Sequence, residues 1–345
     1  MATRRRRSRK KGSGAAGTFL VLFFVLLIAA GAAAWLVLIP FGPHAETFVE
    51  VIPGSSTPHI AQQLEEAGVI RSRYAFDLLR WLKRGSLRAG EYRFDHPATA
   101  AEVYARIAKG DVFTIAITVP EGSSVFDIAA RLEQAGFGPR QSFIDAAREQ
   151  ATLVSDLDPK ATSLEGYLFP DTYRFARKAS PQHICATMLR RFRLEAEQLG
   201  LKGNVHSVVT MASLVERESA VDTERPLVAS VFVNRLAKNM PLMTDPAVIY
   251  GLQLDNRWRG AIYQSDLKFD TRYNTYLHPG LPPGPIANPG LKSLRAAMEP
   301  AHSDYLYFVA AGANPQGHSL FSTTLEEQNR NVAGYRTAIK KAGGH

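Results

Sequence analysis

Ile52-Pro-Gly-Ser-Ser56, followed by Ile60-Ala61, Leu64-Glu65 and Ala67-Gly68, returns later as Pro120-Glu-Gly-Ser-Ser124 with Ile128-Ala129, Leu132-Glu133 and Ala135-Gly136. The register is constant from Gly54 and Gly122 to Gly68 and Gly136. Each copy reads as a β-branched strand (Phe48 to Ile52; Phe113 to Val119) entering a Gly-Ser-Ser turn. One serine can N-cap a helix whose apolar residues recur at helical spacing, and the glycine stops it at C′. Between the copies, Gly90–Phe94 reads as a strand and Thr99–Lys109 as a helix closed by Gly110. Two copies are too few for a solenoid. The expectation is a small α+β unit spanning about 45–150.

Upstream, Gly17 to Pro40 carries no charge and runs Phe19-Leu-Val-Leu-Phe-Phe-Val-Leu-Leu-Ile28 through Trp35-Leu-Val-Leu-Ile39. An apolar stretch of about 20 residues crosses a bilayer as a helix. Ala32-Ala-Ala34 also resembles a signal-peptide cleavage site, but the run continues well past it to Ile39. Residues 17–40 are therefore expected to be a transmembrane anchor. Residues 1–16 form a basic cytoplasmic tail, with the remainder across the membrane by the positive-inside rule. That tail holds seven cations (Arg4 to Arg7, Arg9, Lys10, Lys11) of a net +9, leaving a surplus of two elsewhere. The basic balance thus describes topology, and nucleic acid is not an expected partner. The single cysteine, Cys185, excludes an internal disulfide framework and a Cys-rich zinc cluster. Among Ile184, Met188 and Leu189 it reads as a small core residue.

No Gly-x-x-x-x-Gly-Lys loop, His-Glu-x-x-His helix or Gly-x-Ser-x-Gly elbow occurs. The nine histidines are scattered singly, His206 and His302 fitting a helix start or loop, so no metal and no cofactor is expected. The segment His206–Ala220 has helical period. At about 100° per residue, Met211, Leu214 and Val215 share an apolar face with Glu218, whereas Glu216 leaves on another face. A buried, unpaired carboxyl has its pKa raised and stays protonated near neutrality, as a general acid requires. A structural ion pair of Glu218 with Arg225 or Arg235 satisfies the same pattern.

Further on, aromatic, amide and acidic residues alternate in loops stiffened by proline and glycine. These are Glu165–Tyr173, Met243-Thr-Asp-Pro246, Tyr273-Asn-Thr-Tyr276, Gly280-Leu-Pro-Pro-Gly-Pro-Ile286 and Asn288-Pro-Gly290. Singly each is explained by turn chemistry. Together, in one domain over about 160–345, they suit sugar recognition, with rings stacking on aromatics and hydroxyls meeting polar groups.

Ala212-Ser-Leu-Val-Glu-Arg-Glu-Ser219, Thr244-Asp-Pro246, Tyr273–Tyr276, Gly280–Gly284 and Tyr305-Leu-Tyr-Phe-Val309 resemble the YceG-like family of endolytic murein transglycosylases. The resemblance implies an α+β protein with an inner-membrane helix, a small LysM-like subdomain and a mixed α/β transglycosylase domain. It also implies that the second acid of Glu-x-Glu-Ser, Glu218, is catalytic. Asp245, Tyr273, Asn274, Tyr276 and Ser219 are then expected around the glycan. Peptidoglycan strands, the inner (plasma) membrane and wall-synthesis enzymes would be the partners. Rival readings are a two-carboxylate glycan hydrolase using Asp245, and a non-catalytic peptidoglycan-binding scaffold.

Overall fold

The computed structural model describes residues 13–314 and 317–343, so the basic run Arg4–Lys11 lies outside the described residues. They fall into two compact units that divide between Thr114 and Ile115. The boundary expected near residue 150 therefore moves upstream, and each unit keeps one copy of the duplicated segment.

In the first unit, helix α1 (Ser13–Leu38) contains a span from Gly17 to Leu38 long and apolar enough to cross a membrane. Strand β1 (Thr47–Val51), helices α2 (Thr57–Glu66) and α3 (Arg73–Lys83), and strand β2 (Gly90–Phe94) follow, then helix α4 (Ala100–Lys109). β1 and β2 pair antiparallel, with Val49 opposite Tyr92. Ser56 caps α2 by accepting from His59 N, and Gly68 turns the chain at φ +68°. Thr99 and Glu102 form a reciprocal capping box on α4, which Gly110 ends in the left-handed region. Tyr92, Phe94, Phe76, Leu64 and Ile107 fill this unit's core.

The second unit repeats the order: strand β3 (Ile115–Thr118), helices α5 (Val125–Gln134) and α6 (Arg140–Glu149), and strand β4 (Thr172–Phe175). β3 and β4 are again antiparallel, Ile117 facing Tyr173. Ser124 caps α5 with Asp127 reciprocating. Then come α7 (Pro181–Leu199), α8 (Val205–Glu218), α9 (Arg225–Ala237), α10 (Asp245–Leu254) and α11 (Leu291–Met298). Hairpin β5 (Tyr307–Ala310) with β6 (Ser319–Ser322) and α12 (Leu325–Ala342) close the chain. Every strand pair among the described residues is antiparallel and two-stranded. The expected mixed α/β architecture of this part is thus corrected to a largely helical α+β one. With five consecutive helices from α7 to α11 there is no strand for a parallel crossover to join. Cys185 is buried on α7, where burial pushes its thiol up to about 12, so it is a core residue without thiolate character at neutrality.

Candidate active site

Helix α8 ends at Glu218, two residues earlier than its periodicity predicts, because Ser219 adopts an extended backbone and caps it. Met211, Leu214 and Val215 are buried against Val228, Phe232, Leu242, Ala247 and Ile286. Glu218 continues that face at its rim, half-buried, and accepts no hydrogen bond from any described residue. Its carboxyl is pushed up to about 7, first by burial and then by the negative charge of Asp245; Arg217 and Arg235 pull the other way. The negative end of the α8 dipole acts in the same direction as burial.

The ion-pair alternative fails at Glu218 and holds at its neighbour. Arg225 Nη1 bonds Glu216 Oε1 at 2.7 Å, with both side chains nearly buried. Glu216 Oε2 accepts from Gly290 N at 2.9 Å. Arg235 spends its guanidinium on three backbone carbonyls, at Leu306 (2.7 Å), Leu242 (2.8 Å) and Pro241 (3.3 Å). It therefore lends Glu218 a nearby positive charge without a direct bond.

Asp245, at the first turn of α10, is exposed and accepts from Tyr276 Oη at 2.7 Å. Burial and Asp245 both raise the Tyr276 phenol above its ordinary range, with Glu218 adding a smaller push. Glu218, Asp245 and Tyr276 thus share one electrostatic neighbourhood. The segment before α10 is pinned by Thr275, whose Oγ1 accepts from Thr244 N at 2.9 Å.

The remaining expected site residues occupy supporting positions. Asn274 is fully buried; its amide donates to the carbonyls of Leu267 (3.0 Å) and Phe269 (2.8 Å), and its Oδ1 accepts from Tyr276 N (3.0 Å). It fixes the turn that aims Tyr276 and has no surface for a ligand, a correction to its expected contact role. Tyr273 packs edge-on against Tyr250 at 5.0 Å, and burial raises its phenol to about 12. Ser219 donates its hydroxyl to Val221 O at 2.9 Å, which holds the chain leaving α8.

A second set of groups, from strings that the sequence offers for turns or for sugar recognition, clamps the end of α8. Asn288 Nδ2 donates to Ser123 O and Glu165 Oε1, both at 2.9 Å, and Asn288 Oδ1 accepts from Leu168 N at 2.8 Å. Glu165 Oε2 accepts from Val125 N at 2.8 Å. Burial raises this carboxyl to about 8. The turn at Gly122 packs on the stems of Glu216 and Arg217, and Arg217 Nη1 bonds Gly122 O at 3.1 Å. At the other end of α8, His206 bridges Asp158 Oδ2 (2.7 Å) and Pro283 O (3.0 Å). Gly166, at φ +88°, lets Pro285 and Val209 approach so closely that a Cβ there would lie within 2.8 Å of both. The proline-rich loop is thereby fastened along α8. No group of three His, Cys, Asp or Glu suited to a metal occurs among the described residues.

One carboxyl of raised pKa at a helix end, beside a second carboxylate held by a tyrosine, makes a candidate acid–base site on an α+β scaffold. The chain belongs to the YceG-like family, which it matches over residues 49–334. It is similar to an endolytic murein transglycosylase of Bacillus subtilis, 34% identical over 303 residues covering 82% of each protein. Another protein of that name, from Streptococcus pneumoniae, is 30% identical over 86% of this chain and 60% of its own length. A crystal structure of a yceG-like protein from Listeria monocytogenes superposes with a TM-score of 0.54 at 32% identity. That likeness covers 84% of this chain and 99% of the other.

Proposed function

We propose that this chain is an endolytic peptidoglycan transglycosylase that cleaves the bond between N-acetylmuramic acid and N-acetylglucosamine within glycan strands. The observation that carries the reading is Glu218, a carboxyl that accepts no hydrogen bond from the described residues and is raised to about 7, so that about half of it is still protonated at neutral pH. Glu218 donates its proton to the glycosidic oxygen as the bond to C1 of the muramoyl residue breaks. The resulting carboxylate then takes the proton of the muramoyl 6-hydroxyl as that oxygen closes on C1. A 1,6-anhydro end forms, Glu218 regains its proton and no water is consumed. Because the nucleophile belongs to the substrate, a single acid–base residue suffices, whereas ordinary glycoside hydrolases employ two. Asp245 serves to keep Glu218 protonated and, held by Tyr276, to face the positive charge developing at C1.

The β-α-α-β order of the first unit supports a LysM-like, glycan-holding role for it. The uncharged α1 with its preceding arginines supports a single-pass plasma-membrane anchor, N-terminus in the cytoplasm and both units outside. The test of the catalytic assignment is Glu218→Gln, which keeps shape but cannot deliver a proton. Turnover of purified sacculi should fall by about 10²–10⁴-fold with melting behaviour retained. Near-wild-type turnover, or full cellular function of this variant, would favour the non-catalytic scaffold.

A further inference from the structure

Helix α3 is apolar on two distinct faces. Ala75, Phe76 and Leu79 are buried in the core of the first unit. On the other face Tyr74, Leu78, Trp81 and Leu82, spaced i, i+4, i+7 and i+8, form one stripe about 100° wide. That stripe faces solvent, Tyr74 and Trp81 each being 68% exposed and Leu82 61%. Isolated surface leucines need no explanation, but a contiguous aromatic and aliphatic stripe does.

The equivalent helix of the second copy shows that the fold itself does not demand it. Aligned on their N-cap positions, Ser72 and Pro139, α3 and α6 match Phe76 with the buried Phe143. The stripe residues Tyr74, Leu78, Trp81 and Leu82 then correspond to Gln141, Asp145, Arg148 and Glu149, all polar. The same scaffold is therefore stable with a polar outer face, and in α3 that face is apolar for another reason.

Two features select the occupant. Residues 71–88 hold six basic side chains (Arg71, Arg73, Arg80, Lys83, Arg84, Arg88) against the single acid Asp77, a local net charge of +5. Apart from Arg73, which reaches Glu65 at 4.0 Å, none forms a salt bridge among the described residues. The stripe is also built close to the point where α1 ends. The Arg71 guanidinium lies over the rings of Trp35 (4.4 Å) and Phe41 (4.8 Å) and donates to Pro40 O, and α1 packs against α3 and α4. The exit of the apolar helix is thereby fastened to α3.

We propose that the outer face of α3 lies in the headgroup layer of the membrane that α1 crosses, its apolar stripe in the acyl boundary and its cations among anionic lipid headgroups. Helices that lie in this layer combine Trp and Leu on one face with Lys and Arg beside it, and Trp and Tyr concentrate at that depth. The consequence is a two-point attachment, which fixes the tilt of the first unit on the bilayer where one spanning helix alone would let it swing. The inference rests on the reading of α1 as a membrane span, and the experiment separates the two.

The full chain is placed in nanodiscs containing phosphatidylglycerol and lipids brominated near the headgroup. Of its three tryptophans one is retained at a time. W35F with W258F leaves Trp81, and W81F with W258F leaves Trp35, all exposed or half-exposed positions that tolerate phenylalanine. Both Trp35 and Trp81 should lose most of their emission to the brominated lipid, and iodide in the buffer should fail to reach Trp81. Quenching of Trp35 alone, with Trp81 open to iodide, would overturn the proposal while leaving the anchor intact. Quenching of neither would remove the anchor and the proposal together. Shielding of Trp81 only after soluble glycan fragments are added would assign the stripe to glycan instead, which also overturns it.

Discussion

The two β-α-α-β copies begin with the same Gly-Ser-Ser turn and place it in opposite surroundings. In β1-α2-α3-β2 the turn is exposed, Gly54 has open space where a side chain would stand, and Ser56 does no more than cap α2. In β3-α5-α6-β4 both serines are buried. Gly122 presses on Glu216 and Arg217 and donates its N–H to Asn288 O, while Asn288 N donates to Ser123 O. A capped turn leaves spare carbonyls and amides at its corner. In the first copy they face solvent, and in the second the loop from Asn288 to Gly290 meets them, so that the corner braces the end of α8. The outer helices divide the same way, α3 apolar and α6 polar. Copies of one motif have thus diverged by what their free surfaces meet, while their cores and caps remained alike.

Breaking the brace should have the largest effect. Asn288→Ala strips Leu168 N and Glu165 Oε1 of buried partners. Each such orphan costs about 1–3 kcal/mol, so a loss of about 3 kcal/mol in urea unfolding is expected, together with reduced turnover. A loss below about 1 kcal/mol would mean that the clamp is not needed. The paired serines sharpen the contrast at smaller scale. N-cap removal costs about 0.5–2 kcal/mol. Ser124→Ala, which dissolves a buried capping box, should fall at the upper end and lower turnover, whereas Ser56→Ala should fall at the lower end and leave turnover unchanged.

The smallest effect is a shift along the pH axis. Glu218 must be protonated to act, so activity should decline as pH rises through about 7. Asp245→Asn removes a neighbouring negative charge and should move that decline to lower pH, even if the maximal rate also falls. Stability carries the same sign. A carboxyl raised in the native state stabilises fully below its unfolded pKa of about 4.3 and loses that contribution as pH rises through about 7. The melting temperature of Glu218→Gln should therefore gain on the wild type between those limits and match its trend below them. A gap that narrows with rising pH would show that Glu218 is not the raised group.

Much of this was legible in the residues. Periodicity alone placed Glu218 with Met211, Leu214 and Val215, and the repeat with its glycines located both capped turns. Local signals end where partners are distant. Arg225 fits either glutamate by spacing, and only the docking of α9 and Gly290 on α8 gives it to Glu216. Glu165 looks like a surface acid among aromatics, yet its partners Val125, Asn288 and Tyr250 converge from far along the chain to bury it. Asn274 sits in a string that suits a ligand, but an amide can satisfy three backbone groups of its own loop equally well. The boundary between the units was misplaced because the duplication runs across it.

If one carboxyl passes from acid to base, the muramoyl residue closes its own ring as the strand is cut. Mass spectrometry of the fragments released from purified sacculi by the full chain reads this directly. Muramoyl ends are expected in the 1,6-anhydro form, lighter by one water than hydrolytic ends and drawn from within strands, with none above background from Glu218→Gln. Reducing muramic acid ends as the main product would contradict this and make Asp245 the second acid of a hydrolase.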